Sequence, residues 1–151
     1  MSSASCRLRR GRHSGTGHAY LLTACCYNRL PLMAHDAAAR IVLASAQWLN
    51  QNRRMTLMAA VVMPDHVHLV AGLTTEPLAT LMRSLKSYTA HEINRVLVRD
   101  GLVWQRGYHD RGIRDEEGIR AAVEYCVLNP VRAGLVDDFR QHPYWWCRWD
   151  I

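Results

Sequence analysis

The sequence predicts an α+β fold, in which helices cover one face of an antiparallel sheet. Short apolar runs of strand length alternate with longer stretches whose apolar residues recur every three or four positions. The segments follow the order strand, helix, strand, strand, helix, strand, and only a tight turn at Pro64 and Asp65 separates the two middle strands. This β-α-β-β-α-β order is typical of a ferredoxin-like sheet.

Composition limits the class of protein. A chain of 151 residues with 49% hydrophobic and 21% charged residues predicts one folded domain rather than a disordered chain. We expect no membrane association, because no apolar run approaches the ~18 residues of a spanning helix, and no signal peptide, because no apolar segment follows the first arginines. Five cysteines without a C-x-x-C pattern favour reduced thiols and a cytoplasmic location.

The charge predicts the kind of partner. The net charge of +6 favours a polyanion, so nucleic acid is the expected ligand. Residues 1–17 are rich in Ser, Gly and Arg, and they predict a mobile basic tail. Residues 18–151 form the single predicted domain.

The elements of that domain can be placed in order. Strands are predicted at 18–26, 55–63 and 66–73, with a short fourth strand at 102–104. A helix at 36–50 is expected to be capped by Asp36, and a longer helix begins after Pro77, runs to about Arg99 and stops before Gly101. Both helices should lie on the same face of the sheet.

The segment His66-Val67-His68-Leu69 gives the first indication of a chemical function. Side chains alternate along a strand, so His66 and His68 share one face while Val67 and Leu69 point to the helices. Two imidazoles about 6.5–7 Å apart along a strand can bind one cation. Two alternatives remain: half-solvated histidines that bind nothing, and a structural zinc site completed by Cys25 or Cys26.

A basic loop is predicted at residues 105–114. Its candidates for contacts with single-stranded DNA are Arg106, Tyr108, Arg111 and Arg114. Arginines pair with phosphates and an aromatic ring stacks on bases, although an ordinary solvated loop would have the same composition. Two further candidates lie off the buried stripe of the long helix: Arg83 and Lys86.

A third helix is predicted after Asp115, which can cap it, and Pro130 should end it directly after Asn129. Its apolar stripe consists of Ile119, Val123, Cys126 and Val127. Tyr125 and Asn129 lie one turn apart on a flank beside small residues, where a ligand could reach the tyrosine. A mid-helix tyrosine more often only packs. The aromatic residues of 144–149 are expected to pack over a sheet edge.

Four segments taken together resemble the REP-associated tyrosine transposases, an IS200-like branch of the single-tyrosine HUH transposases. They are VVMPDHVHLV, SLKSYTAHEINR, VWQRGYHDRGIRDEEG and AAVEYCVLNPVRAGLV. The resemblance implies a ferredoxin-like sheet with the tyrosine-bearing helix on the face opposite the first two helices. It implies that His66, His68 and Asn129 bind a divalent metal ion, Mg²⁺ or Mn²⁺, and that Tyr125 is the nucleophile.

The activity implied by this resemblance is nicking and rejoining of single-stranded DNA at palindromic REP-like hairpins through a 5′-phosphotyrosine. The enzyme would act as a monomer or a homodimer in the cytoplasm, associated with the bacterial nucleoid. A domesticated protein that binds hairpins without cutting them is the alternative. An RNA-recognition motif is disfavoured, because its central strands would carry stacking aromatics where this chain has histidines.

Overall fold

The computed structural model describes residues 18–151, so the basic tail predicted for residues 1–17 lies outside the described residues. The described residues form five strands: β1 (Ala19–Cys25), β2 (Met55–Val62), β3 (His66–Leu73), β4 (His109–Ile113) and β5 (Trp145–Cys147). Over the same range there are four α-helices: α1 (Asp36–Gln51), α2 (Leu78–Leu97), α3 (Glu116–Val127) and the short α4 (Asn129–Arg132).

The strands form one sheet in the order β4-β1-β3-β2-β5, and every neighbouring pair is antiparallel. The first four strands with α1 and α2 have the predicted β-α-β-β-α-β arrangement, which confirms the ferredoxin-like fold. The helix α3 follows β4, and the chain then returns to the opposite edge as β5, which pairs with β2.

The core face, as we call the side of the sheet that α1 and α2 cover, holds the larger apolar cluster. Val67 and Leu69 of β3 belong to it, as the strand alternation predicts. The other side, called the histidine face here, carries His66 and His68. A smaller cluster lies there, where Val123 and Cys126 of α3 pack on Val61 and Val70. The third helix is therefore on the face opposite the first two.

The structure corrects three local predictions. The fourth strand is His109–Ile113, inside the segment predicted as a loop, whereas Trp104 makes only an isolated bridge with Cys26. Asp36 is the first helical residue rather than the cap, and its carboxylate accepts hydrogen bonds from Arg40 and Tyr144. The third helix ends at Val127, and Pro130 lies in the first turn of α4 instead of ending a helix.

A side-chain cap fixes the start of α3. The side chain of Asp115 accepts a hydrogen bond from the backbone of Gly118, so the predicted cap of α3 is present.

Between residues 18 and 151, no helix is long and apolar enough to cross a membrane.

Candidate active site

The histidine pair, His66 and His68, lies on one face of β3. It is at the start of the strand, directly after the turn at Pro64 and Asp65. The centres of the two rings are 4.7 Å apart, and the rings are nearly perpendicular at 77°. Cys25 and Thr23 of β1 lie directly opposite these two histidines in the antiparallel ladder. The strand alternation therefore places two imidazoles side by side, as expected from the sequence.

Hydrogen bonds orient both rings. Nδ1 of His66 lies 2.7 Å from Oδ1 of Asp65, and Nδ1 of His68 lies 2.8 Å from Oγ1 of Thr23. The hydrogen bond to His66 and the charge of Arg29 outweigh the effect of burial and lower the pKa of Asp65, so its carboxylate can only accept. His66 therefore donates from Nδ1 and leaves the lone pair of Nε2 free. If His68 likewise donates to the hydroxyl of Thr23, its Nε2 is free as well.

His68 is an uncharged imidazole over the whole physiological range. Only 6% of the residue is exposed, and this burial, together with the positive charge that His66 carries when protonated and the charges of Arg132 and Arg29, lowers the pKa of His68 to about 3. A neutral ring nitrogen is the form that binds a metal ion, whereas a protonated one cannot. The environment that opposes protonation of His68 thus keeps a ring nitrogen of this residue available to a metal ion.

The helix α3 places Tyr125 beside the histidine pair. The buried thiol of Cys126 donates a long hydrogen bond of 3.6 Å to the backbone carbonyl of His68, which fixes the helix against β3. Its neighbour Tyr125 lies off the apolar stripe and remains 44% exposed. The centres of the Tyr125 and His68 rings are 5.5 Å apart. An accessible phenol therefore lies against two oriented imidazoles.

Asn129 begins α4, one turn beyond Tyr125, and is half-buried. Within residues 18–151 its side-chain amide makes no hydrogen bond, so its oxygen is available to a ligand. The described residues contain no group of three or more His, Cys, Asp or Glu side chains able to hold a metal ion. A metal here would thus need an amide oxygen beside the two imidazoles, a donor set compatible with Mn²⁺ or Mg²⁺.

The structural zinc alternative does not fit this arrangement. Cys26 lies in the core face cluster, where its thiol contacts the sulfur of Met33. Cys25 is opposite His66, but its sulfur accepts a hydrogen bond from Arg29. No closed set of four His and Cys ligands therefore forms in the part of the chain that the structure describes.

The candidate DNA contacts fall in two places. Arg111 lies on β4 opposite Leu21, which is opposite Val70, so Arg111 shares the histidine face. Arg106 and Arg114 are exposed at the two ends of the segment that contains β4. Tyr108 is half-buried and packs against the core face cluster, so its ring is less available for stacking than the sequence suggested.

The structure does not bring Arg83 and Lys86 to the histidine pair. Both are on α2, the helix that packs on the core face. Nζ of Lys86 donates to the backbone carbonyls of Gln105 and Gly107, at 2.8 and 2.6 Å, and burial lowers its pKa. This lysine holds the segment that leads into β4, whereas Arg83 is exposed.

Sequence reasoning missed four residues of the site. Asp65 and Thr23 orient the histidines, Arg29 binds Asp65 at 3.0 Å, and Arg132 lies over the Tyr125 ring. Asp65 could have been suspected from its position beside His66. Thr23 and Arg29 depend on the pairing of β1 with β3, which the sequence does not display.

A ferredoxin-like sheet with a histidine pair on one face and a tyrosine-bearing helix laid beside it is the arrangement implied by the resemblance to single-tyrosine transposases. The chain belongs to the family Transposase IS200 like, which it matches over residues 15–125.

Individual relatives agree with this assignment. A Haemophilus influenzae protein named as a REP-associated tyrosine transposase is 28% identical in an alignment of 98 residues, which covers 58% of this chain and 56% of that protein. The match thus spans little more than half the length of this relative.

Solved structures show the same fold. A REP-associated tyrosine transposase bound to a REP hairpin superposes with a TM-score of 0.73 at 20% identity, covering 89% of this chain and 79% of that one. A Deinococcus radiodurans protein named as a transposase gives a TM-score of 0.52 at 23% identity, with coverages of 74% and 88%.

Proposed function

We propose that this protein nicks and rejoins single-stranded DNA at palindromic hairpins through a 5′-phosphotyrosine intermediate. One observation carries the proposal: the exposed ring of Tyr125 lies 5.5 Å from the ring of His68, which itself lies 4.7 Å from the ring of His66. Membership of the IS200-like family supports it. The proposed nucleophile and the two proposed metal ligands thus lie on one open surface.

The reaction at Tyr125 would be a transesterification. The phenolic oxygen attacks the scissile phosphorus, the bond from phosphorus to the 3′ oxygen breaks, and the phenol gives up its proton while the leaving oxygen becomes a 3′-OH. Attack by a 3′-OH on the phosphotyrosine reverses the exchange and releases the tyrosine. The phosphodiester energy is kept in the covalent link, so rejoining needs no ATP.

The histidine pair would hold a divalent cation through the two Nε2 atoms, with the Asn129 amide oxygen as the third protein ligand. When bound, such an ion polarises the phosphate and stabilises its developing charge. Asp65 and Thr23 keep the two rings in the required orientation. Two imidazoles and an amide suit Mn²⁺ better than Mg²⁺, which prefers oxygen ligands.

The proposed substrate is a hairpin of the REP type. The solved relative with the same fold is bound to a REP hairpin. The net charge of +6 favours binding to phosphates, and Arg111 on the histidine face is one of the exposed arginines able to contact a strand near Tyr125. We propose that the hairpin binds beside the histidine face and presents a flanking single strand to the tyrosine.

The test is formation of a covalent protein–DNA adduct. Labelled single-stranded oligonucleotides carrying REP-type hairpins are incubated with Mn²⁺, and adducts that survive denaturant are counted by gel and mapped by mass spectrometry. Wild-type protein should form an adduct at Tyr125. Tyr125→Phe removes only the attacking oxygen, so adduct and cleavage should disappear together while folding and hairpin affinity remain.

Two other tyrosines serve as controls. Tyr88, exposed on α2, and Tyr108, beside β4, should each tolerate Phe without loss of the adduct. An adduct that persists in Tyr125→Phe and maps elsewhere would overturn the assignment. If wild type binds hairpins but never forms an adduct, the non-catalytic hairpin-binding protein is the correct reading.

A further inference from the structure

Arg132, at the end of α4, lies directly on the nucleophile. Its guanidinium carbon is 4.3 Å from the centre of the Tyr125 ring, and its Nη2 donates to the backbone carbonyl of the same tyrosine. The hydrogen bond to the carbonyl and the contact with the ring together hold the guanidinium beside the tyrosine. The position is the result of helical spacing, because Arg132 follows Tyr125 by seven positions, about two helical turns, and the chain from α3 to α4 remains nearly helical.

The charge of Arg132 is not neutralised by a carboxylate within residues 18–151. By contrast, five described arginines form ion pairs with Asp or Glu: Arg29, Arg40, Arg54, Arg95 and Arg140. A guanidinium has five N–H donors, and Arg132 uses one of them. Its charge is also felt at His68, where it adds to the effects of burial and of His66.

Arg29 provides a contrast beside the same histidine. It also lies close enough to influence His68, but its guanidinium is bound to the carboxylate of Asp65 and to the sulfur of Cys25. Arg29 therefore stabilises the turn that carries the histidine pair. Arg132 has an exposed guanidinium, and no carboxylate or sulfur among residues 18–151 binds it. An unpaired cation held against a nucleophile is suited to an anion that must come to that nucleophile.

We propose that Arg132 is a further catalytic residue that binds a non-bridging oxygen of the phosphate attacked by Tyr125; this rests on the function proposed above. The planar guanidinium matches phosphate geometry and stays charged throughout the reaction. While the bond from Tyr125 to phosphorus forms and the bond to the 3′ oxygen breaks, negative charge builds up on the non-bridging oxygens. Arg132 stabilises that charge and transfers no proton.

A purely structural role for Arg132 would have a different signature. If the side chain only packs on Tyr125, its loss misplaces the tyrosine to the same extent whatever phosphate is attacked. If it binds the phosphate, its loss matters only when the non-bridging oxygen carries charge. A methylphosphonate, in which a methyl group replaces one non-bridging oxygen and removes the negative charge, distinguishes the two roles.

The experiment compares two oligonucleotides carrying the same hairpin, one with a normal phosphate at the mapped cut site and one with a methylphosphonate there. Initial rates of adduct formation are measured with wild type, Arg132→Gln and Arg132→Lys. On the normal phosphate, Arg132→Gln should lose about 100-fold or more, the usual effect of removing one oxyanion donor. Hairpin affinity should stay close to that of wild type, and Arg132→Lys should recover part of the rate.

On the methylphosphonate, the ratio of wild-type to Arg132→Gln rates should shrink by at least about tenfold, because the charge that Arg132 stabilises is gone. Arg120→Gln is the matched control: Arg120 is an exposed arginine of α3 with no ion pair within residues 18–151, and its loss should change neither rate. Thermal unfolding of each variant verifies that the fold is intact.

Two results would overturn the proposal in distinguishable ways. If wild type forms the adduct and Arg132→Gln loses the same factor on both oligonucleotides, Arg132 does not bind the phosphate, although the proposed function stands. If wild type forms no adduct even on the normal phosphate, the proposed function fails and the role of Arg132 fails with it.

Discussion

The two faces of the sheet differ in how completely helices cover them. On the core face, residues such as Leu57 and Leu69 are at most 1% exposed, and two full helices cover them. On the histidine face, α3 covers Val61 and Val70, whereas Tyr125 remains exposed. The strand β3 serves both faces through its alternation, so neighbouring residues belong to different environments.

This difference assigns stability and the proposed chemistry to alternating residues of one strand. Leu69 contributes apolar burial in the larger cluster, while its neighbour His68 is a polar group oriented by a hydrogen bond to Thr23. Substitutions one residue apart should therefore produce different kinds of failure. The predictions below test that separation, beginning with the largest expected effect.

The largest effect is expected from removing the histidine pair. His66→Ala or His68→Ala should abolish cleavage that depends on Mn²⁺ or Mg²⁺, because the remaining imidazole and amide cannot hold the ion in place. Hairpin affinity should stay within a few fold, since the proposed role of these side chains is to bind the metal ion rather than the DNA backbone. Adduct formation and hairpin binding are measured on the same oligonucleotide.

Asn129→Ala provides the graded comparison. The amide is the third expected ligand, so its loss should weaken cleavage less than the loss of either imidazole and should be partly overcome by more Mn²⁺. Full cleavage by the double variant of His66 and His68 in the presence of a chelator would disprove the metal site.

The next largest effect is on stability and belongs to the core face. Leu69→Ala should lower the free energy of unfolding by roughly 2–5 kcal/mol, because it leaves a cavity in a fully buried cluster. Leu69→Met keeps the volume and should cost less than about 1.5 kcal/mol. Chemical denaturation measures both, and adduct formation per folded molecule should remain at the wild-type level. A selective loss of cleavage in stably folded Leu69→Ala would contradict the separation of the two faces.

The sequence predicted the faces well and the edges poorly. The alternation of His66, Val67, His68 and Leu69 was sufficient to assign each residue to a side, because one side must be buried. The sequence of the edge strand β4 predicts a loop, since its polar residues and Gly112 lack an apolar alternation. Its pairing with β1 makes it a strand, and such a tertiary contact outweighs local propensity.

Helix ends and hydrogen-bond partners were also beyond the sequence. Pro130 was expected to terminate a helix, but a proline is tolerated in a first turn, where its missing N–H would have no partner in any case. Thr23 orients His68 across 45 positions of sequence, so its role appears only when the register of β1 and β3 is known. The metal-binding role of Asn129 stays a prediction.

A third prediction concerns pH. The pKa of His68 is about 3 in the folded protein, because of burial and of nearby positive groups, whereas an unfolded histidine has a pKa of about 6.5. Between those values the unfolded chain binds a proton at this position that the folded chain does not bind. The free energy of unfolding should therefore fall as the pH drops from about 6.5 towards 3, by up to ~1.4 kcal/mol per pH unit from this group.

This pH dependence is measured by denaturant unfolding of metal-free protein at several pH values. His68→Gln retains a polar side chain but cannot titrate, so its stability should fall less steeply over the same interval. Equal slopes for wild type and His68→Gln would show that His68 does not resist protonation in the folded state.

The smallest expected effect is on the salt dependence of hairpin binding, and it is tested with one arginine from each side of the sheet. Arg111 shares the histidine face, whereas Arg83 lies on α2, which covers the core face. Both are exposed, and neither forms an ion pair with another described residue, so a change to Gln removes one positive charge at similar cost to stability.

Affinity for a hairpin with a single-stranded flank is measured against salt concentration. If Arg111 neutralises a phosphate near Tyr125, Arg111→Gln should reduce the steepness of the log–log salt dependence by about 0.7, the value for one contact to a single strand. Arg83→Gln should leave the slope unchanged, because α2 lies on the other side of the sheet from the proposed cleavage site. Equal reductions in the two variants would mean that the DNA also contacts α2, and that binding, unlike the chemistry, is not confined to the histidine face.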